Sequence, residues 1–339
     1  MNVTADTVRA LRERTGAGMM ECKRALVETG GDLDAAAELM RKQGLAKADK
    51  KAARVAAEGV IVIERAADGR AAAMAEINCE TDFVAREQDF RRFAADVARL
   101  TLEHRPVDLE ALLNAELVAG ESVDQHRRAL VSKIGENISV RRCVVLERGA
   151  APALAAIGAY VHGTRIGVLV ALESTSGAQT VAALDTLAHD VAMHIAASNP
   201  RFIATSDVPA DVVAKEREIL AEQAQQQAQK EGKSPEVVAK MVEGRLRKSL
   251  NEFVLLGQPF VKELEQTVEK VLKAANARVV RFERYEVGAG MEKKQDNFVA
   301  DVMAQVSAAT KPTESEGPGG SGSSGSSGSS DGSGPPRKH

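Results

Sequence analysis

The 339-residue sequence contains no tryptophan, two tyrosines and only 3% aromatic residues. That scarcity counts against single-strand nucleic-acid binding, which leans on aromatic stacking platforms. Cysteine is nearly as rare: Cys22, Cys79 and Cys143 are odd in number, widely spaced and form no C-x-x-C pair. A disulfide framework is therefore excluded, and a reduced, cytosolic compartment fits best. No run approaches the roughly 20 apolar residues that a membrane helix needs. Neither sign of charge dominates: 45 Lys and Arg stand against 48 Asp and Glu, for a net charge of -3. There is thus no global basic field to draw nucleic acid, and no direct nucleic-acid contact is expected. The opening MNVTADTVRALRERTG becomes charged too early for a signal-peptide core and reads as folded helix.

What is present is a soluble globular composition, 44% hydrophobic and 27% charged, in a chain long enough for two or three domains. Residues 1–41 read as three short helices. Val8 and Leu11 mark the first, Met19, Cys22 and Leu26 the second, and Leu33, Ala36, Ala37 and Met40 the third, with Asp32 as its N-cap. The basic run at 42–55 reads as an exposed, partly helical connector, most simply a solvated face.

From Gly59 the period becomes that of strands. VIVIE and AMAEIN flank Asp68 and Gly69, a hairpin signal, and a helix carrying Phe90, Phe93, Ala94 and Val97 follows. A second unit starts at CVVLE, with a hairpin around His162–Gly167 and a helix to Ser198, so units at 56–142 and 143–287 are expected to be related. A helical hairpin at about 209–250 interrupts the second, with Val213, Leu220, Val238, Val242 and Leu246 as a thin apolar stripe. It is able to pair with another copy as a homodimer or to lie back on its own domain. A last helix, with Val299, Val302 and Val306, is expected in 288–310. The Gly/Ser-rich 311–339 reads as a disordered tail or an added linker.

Enzymatic signatures fail one after another. Gly16 and Gly18 do not complete G-x-G-x-x-G, since position 21 is Glu, and GKS at Gly232–Ser234 lacks the upstream P-loop glycine. His189 and His194 are five apart and cannot stack two metal ligands on one helix face; His194 reads as a surface partner of Asp190. The cysteines lie in apolar segments as small hydrophobes. Neither catalytic residues nor cofactor nor metal are expected.

The stretch NCETDFVAREQDF, Asn78 to Phe90, is harder to read. Phe83 is seven before Phe90 and fourteen before Val97, so one continuous helix would turn all three inward. Alternatively Thr81 or Asp82 caps the helix and Phe83 projects from its first turn.

The motifs RERTGAGMMECKRAL, NCETDFVA, KIGENI, HGTRIGVL, AMHIAAS, MVEGRLRK, GQPFV and FERYEVGAG occur in the order found in bacterial elongation factor Ts. The chain resembles that family, guanine-nucleotide exchange factors for elongation factor Tu, from about residue 3 to residue 307. The resemblance implies an α+β fold: a three-helix module similar to ubiquitin-associated domains, two related α+β core subdomains of antiparallel strands and helices, a helical-hairpin (coiled-coil) insertion and a C-terminal helical module. It implies a cytoplasmic, non-enzymatic exchange factor. Thr81, Asp82, Phe83 and Val84 would meet the GTPase domain beside its nucleotide, with Ile134 and Gly135 alongside. Met19, Met20 and Lys23 would touch the same domain, and His162 a different one. Glu80 stands where many members carry Gln. Two other classes compete: an RNA-binding or scaffold protein using Arg41–Arg54, which predicts salt-sensitive binding lost on neutralising Lys47, Lys50 and Lys51, and an enzyme whose site has no recognisable signature.

Overall fold

The computed structural model describes residues 3–118, 120–148, 155–176, 180–231 and 234–291. In chain order these form α1 (Ala5–Thr15), α2 (Met19–Glu28), α3 (Leu33–Lys51), β1 (Glu58–Arg65), β2 (Ala71–Cys79), α4 (Asp82–Arg86) and α5 (Gln88–His104). Next come α6 (Leu109–Asn114), β3 (Glu116–Val118), β4 (Glu121–Ser122), α7 (Val123–Ile134), β5 (Ile138–Glu147), β6 (Ala155–His162), β7 (Ile166–Ser174) and α8 (Val181–Ser198). The rest is α9 (Ala210–Glu231), α10 (Pro235–Phe253), β8 (Pro259–Phe260), β9 (Glu263–Thr267), α11 (Val268–Ala274) and β10 (Ala277–Glu286). The helix expected in 288–310 and the tail lie outside the described residues, apart from 288–291.

Local chemistry sets the first helices. Thr4 and Thr7 form a capping box on α1, and Gly16, at φ 67°, ends it in the left-handed region where glycine carries no Cβ penalty. Asp32 caps α3 by accepting from the N–H groups of Asp34 and Ala35, both at 2.9 Å. The third helix is not short, however. It runs to Lys51 through most of the basic stretch read as a connector, because that stretch packs on α7. A Cβ at Gly44 would stand only 3.0 Å from Ser132 Oγ, and Ala48 is buried in the first core. The cations of the run turn to local partners: Arg41 and Lys42 to Glu38, Lys47 to Glu21 at 2.6 Å, and Lys51 to the Gly135 carbonyl at 2.5 Å.

Two three-stranded antiparallel sheets, ordered β1-β2-β5 and β10-β7-β6, form the body. The period of two along β2 explains how they are covered. Ala75, Ile77 and Cys79 face the core containing α5 and α7, whereas Ala72 and Met74 face Ile157, Leu169, Tyr285 and Val287 of the second half. Likewise Val168, Val170 and Leu172 of β7 pack on α8 while Leu169 faces the first sheet. The layers are helix, sheet, sheet, helix, and β2, central and covered on both faces, is buried throughout.

Each half therefore takes a hairpin and adds a third strand, after intervening helices, beside its second strand. CVVLE, expected to open the second unit after a boundary at 142/143, instead continues β5, which pairs with β2 from Ile138 to Glu147. Arg141 and Arg142, which turn to the buried Glu76 carboxylate, interrupt the strand's apolar pattern, so only its second half reads as strand. The hairpin of α9 and α10 closes on a small core of Val208, Leu246, Leu250 and Val254, with Phe202, Val213 and Leu220 against it.

Candidate partner-binding site

The chain leaves β2 at Cys79 and turns outward. Thr81, at φ -124° and ψ 157°, caps α4, its Oγ1 accepting from the Val84 N–H at 3.4 Å. Glu87, at φ -68° and ψ 139°, breaks the helix and caps the next, accepting from the N–H groups of Asp89 and Phe90 at 2.8 and 3.1 Å. The continuous helix that would bury Phe83 does not form. The break resets the helical phase, so Phe90 is fully buried whereas Phe83 is 78% exposed. Asp82 is exposed and pairs with Arg86 at 2.7 Å. Val84, expected to meet a partner, is instead turned into the first core: one residue after Phe83, it lies about 100° further round the helical turn.

Polar contacts hold the turn from both sides. Thr81 donates its N–H and its hydroxyl to the Glu136 carboxylate, at 3.0 and 2.7 Å. In the reverse direction Glu80 Oε1 accepts from the Asn137 N–H at 2.6 Å. The Asn137 amide reaches the carbonyls of Ala52 and Arg54, at 3.3 and 2.7 Å, and so ties in the end of the helical module. Between these contacts sits Gly135, φ 94°, ending α7, with Ile134 half-buried before it. The structure thus brings Thr81, Asp82, Phe83, Ile134 and Gly135 to one place. Glu136 and Asn137 were not singled out from the sequence, although an acid and an amide directly after a helix-ending glycine form a legible pattern.

Met19 and Met20 open α2 and are 47% and 65% exposed, with Lys23 exposed a turn later and Cys22 buried behind them. Lys133 connects this end to the turn. It pairs with Asp89, and a Cβ at Gly16 would stand 3.3 Å from its Cε. His162 lies apart, exposed at the end of β6, its Nδ1 3.2 Å from the Tyr160 hydroxyl. The turn that follows rests on β1 through a hydrogen bond from the Ile61 N–H to the Thr164 carbonyl, 2.8 Å, and an Arg165–Glu58 ion pair.

The titratable groups suit structure rather than chemistry. Burial, with the charges of Glu136 and Glu58, pushes the Cys79 thiol up to about 12, and burial also raises Cys143; neither is a thiolate at neutral pH. His194 is not the surface partner of Asp190. It is buried, with Nε2 3.0 Å from Gln258 Oε1 and Nδ1 accepting from the Val261 N–H at 3.2 Å, while Asp190 pairs with Lys262 at 2.8 Å. Among the described residues no group of three or more His, Cys, Asp or Glu is arranged to hold a metal, and no helix is long and apolar enough to cross a membrane.

The sequence model of the family described as Elongation factor TS matches residues 80–289, from the clamped turn to the end of the second half. Elongation factor Ts of Alkalilimnicola ehrlichii is 54% identical over 305 residues, covering 90% of this chain and 99% of the relative. That of Methylococcus capsulatus is 55% identical over 309 residues, 91% of this chain and all of the relative; that of Legionella pneumophila strain Paris is 52% identical over 304 residues, 90% and 98% respectively. With the family model matching well over half of the chain, and relatives above half identity along nearly their whole length, this chain belongs to the elongation factor Ts family of translation factors.

Proposed function

We propose that this chain binds elongation factor Tu carrying GDP, in the cytoplasm, and speeds GDP release without making or breaking a covalent bond. The observation that carries the reading is Phe83: a large apolar side chain, 78% exposed, on a turn whose backbone is fastened to the body. Solvent exposure of an aromatic on a rigid mount contributes nothing to folding and suits a wedge. Asp82, Thr81, Ile134 and Gly135 surround it as the rest of the contact, Met19, Met20 and Lys23 make a second contact to the GTPase domain, and His162 meets another domain.

A GTPase holds GDP through backbone amides around the phosphates and through Mg²⁺, and both depend on close geometry. A side chain pressed in beside that site shifts the amides and the metal ligands without touching the nucleotide. The coupling is reciprocal: as the factor weakens GDP binding, GDP weakens the factor's binding equally, each tenfold amounting to about 1.4 kcal/mol. GTP binding then displaces the factor. The alternative of RNA binding through Arg41–Arg54 is weakened by the ion pairs and the carbonyl contact that already engage Arg41, Lys42, Lys47, Lys51 and Arg54.

The test is stopped-flow release of a fluorescent GDP from elongation factor Tu. Wild type should accelerate release markedly, and Phe83→Ala should lose most of the acceleration while keeping its melting temperature. Equal acceleration by both proteins would remove Phe83 from the mechanism, and no acceleration by wild type would overturn the function.

A further inference from the structure

The carboxylate of Glu136 grips the Phe83 turn and belongs to the same segment as Ile134 and Gly135, whereas the other side chains that hold the turn, Cys79 on the Thr81 carbonyl and Arg91 on the Ala85 carbonyl, lie on the chain to either side of it. The Glu136 carboxylate accepts both the N–H of Thr81, at 3.0 Å, and its hydroxyl, at 2.7 Å. That hydroxyl oxygen is the same atom that caps α4 by accepting from the Val84 N–H. With its proton committed to Glu136, Thr81 Oγ1 keeps its lone pairs aimed at the helix, which fixes the rotamer of the cap. Two donors converging on one carboxylate are charge-assisted and hold position as well as distance. Glu136 is partly solvent-exposed.

We propose that Glu136 is a positioning residue for exchange, acting through Phe83 by fixing the orientation in which the α4 turn presents that ring; this rests on the wedge reading above. Glu136 need not touch the GTPase. A wedge works only if force applied to it is resisted by its mount, and a turn free to swing by about 1 Å loses much of its effect. Glu136 supplies that resistance from α7's side. The mutual grip of Glu80 on the Asn137 N–H closes the same clasp and keeps the two segments in register.

The experiment is a double-mutant cycle on the full-length chain, read by stopped-flow release of fluorescent GDP from elongation factor Tu, with Glu136→Ala, Phe83→Ala and the double variant. Glu136→Gln, which keeps one acceptor oxygen, serves as the conservative substitution. Glu136→Ala is expected to lower the maximal release rate about ten-fold, with Glu136→Gln in between, while in the Phe83→Ala background the Glu136 substitution changes the rate less than two-fold, since coupled residues are not additive. Thermal unfolding of each variant serves as the folding control. Should Glu136→Ala misfold, Glu136→Gln carries the cycle alone, with an intermediate loss expected only when Phe83 is present. Losses that multiply, or a Glu136→Ala protein as fast as wild type, would overturn the positioning role while leaving the wedge intact. A Phe83→Ala protein as fast as wild type would instead remove the wedge, and the positioning role with it.

Discussion

The backbone N–H of Gly288 donates to Glu76 Oε1 at 3.0 Å, joining residues 212 positions apart. Glu76 is fully buried at the centre of β2, facing the second sheet. A bulge in β5 lets two neighbouring cations reach it: Arg141 at 2.9 Å and Arg142 at 2.6 Å, the latter also lying 4.0 Å over the Tyr285 ring. A bulge sets two residues opposite one, so consecutive side chains can converge on a single partner. Gly288, at φ 71°, could not be replaced even without its positive φ, because a Cβ there would stand 2.3 Å from the Ala57 carbonyl oxygen. This polar knot fastens the end of β10 to the first sheet.

Removing one partner of a buried ion pair leaves the others unsatisfied, so Glu76→Ala should destabilise the protein by about 3 kcal/mol in chemical denaturation. Burial opposes ionisation of Glu76, but the Gly288 N–H and the two guanidiniums outweigh it and hold the carboxyl below its ordinary 4.5. The folded form then binds a proton less readily than the unfolded chain. The resulting stability is fully present above pH 4.5 and is lost as pH falls through the lower folded value. Acid unfolding followed by circular dichroism should therefore show a shallower loss in Glu76→Ala than in wild type; equal slopes would mean that the fold does not shift the Glu76 pKa.

His194 titrates in a different window. Burial lowers its pKa, and the hydrogen bond with Gln258 only partly compensates. With Nδ1 accepting from the Val261 N–H, the proton sits on Nε2 and is donated to Gln258 Oε1. Protonating Nδ1 would set two donors against each other. The unfolded chain takes up its proton near 6.5 and the folded one at a lower pH, so stability is complete above pH 6.5 and drains as pH falls below it. Melting temperatures between pH 7.5 and 5 should fall in wild type and fall less in His194→Gln. A slope unchanged by the substitution would assign the loss to another group.

How far the sequence could be read depended on whether structure was local. The helix cap at Asp32, the Asp68–Gly69 turn and the alternation in β2 are written within a few residues, and the elements they announce are present. The length of α3 is not legible locally, because what continues the helix is Gly44 meeting Ser132, a contact made across the fold. Sequence offers His194 only the neighbour Asp190, four residues away, whereas its actual partners, Gln258 and Val261, are distant along the chain. At the candidate site the exposed position of Phe83 followed from one local competition, a cap at Thr81 and a break at Glu87 against a seven-residue apolar repeat. The repeat alone pointed the wrong way. Glu136, 55 residues from Thr81, could be paired with it only in three dimensions.

The two phenylalanines of that stretch should separate stability from function. Phe90 is fully buried in the first core, and truncating it to alanine removes both transfer energy and packing, about 3–5 kcal/mol. Phe83 contributes almost nothing to the core, so Phe83→Ala should lie within about 0.5 kcal/mol of wild type in the same denaturant titration. A loss above 1 kcal/mol for Phe83→Ala would show that the ring packs against the body in solution.

The α9–α10 hairpin bears on self-association. Its apolar stripe is satisfied inside one chain: Leu246 and Leu250 pack with Val213 and Leu220 at the base, and Ala224, Ala228 and Val242 are buried above them. Cross-helix contacts reinforce the pairing, with Arg217 to Glu243 at 3.0 Å and Ser249 to Glu216 at 2.7 Å. Among the described residues of the two helices the large apolar side chains left exposed are Ile219 and Val237, and isolated exposed residues of this kind do not amount to an interface, which needs upwards of about 1,000 Å². Full-length protein at micromolar concentration should therefore scatter light as a monomer. A dimer that Ile219→Lys and Val237→Lys together dissolve would show that the outer face of the hairpin pairs after all; a dimer that survives both would place the contact elsewhere.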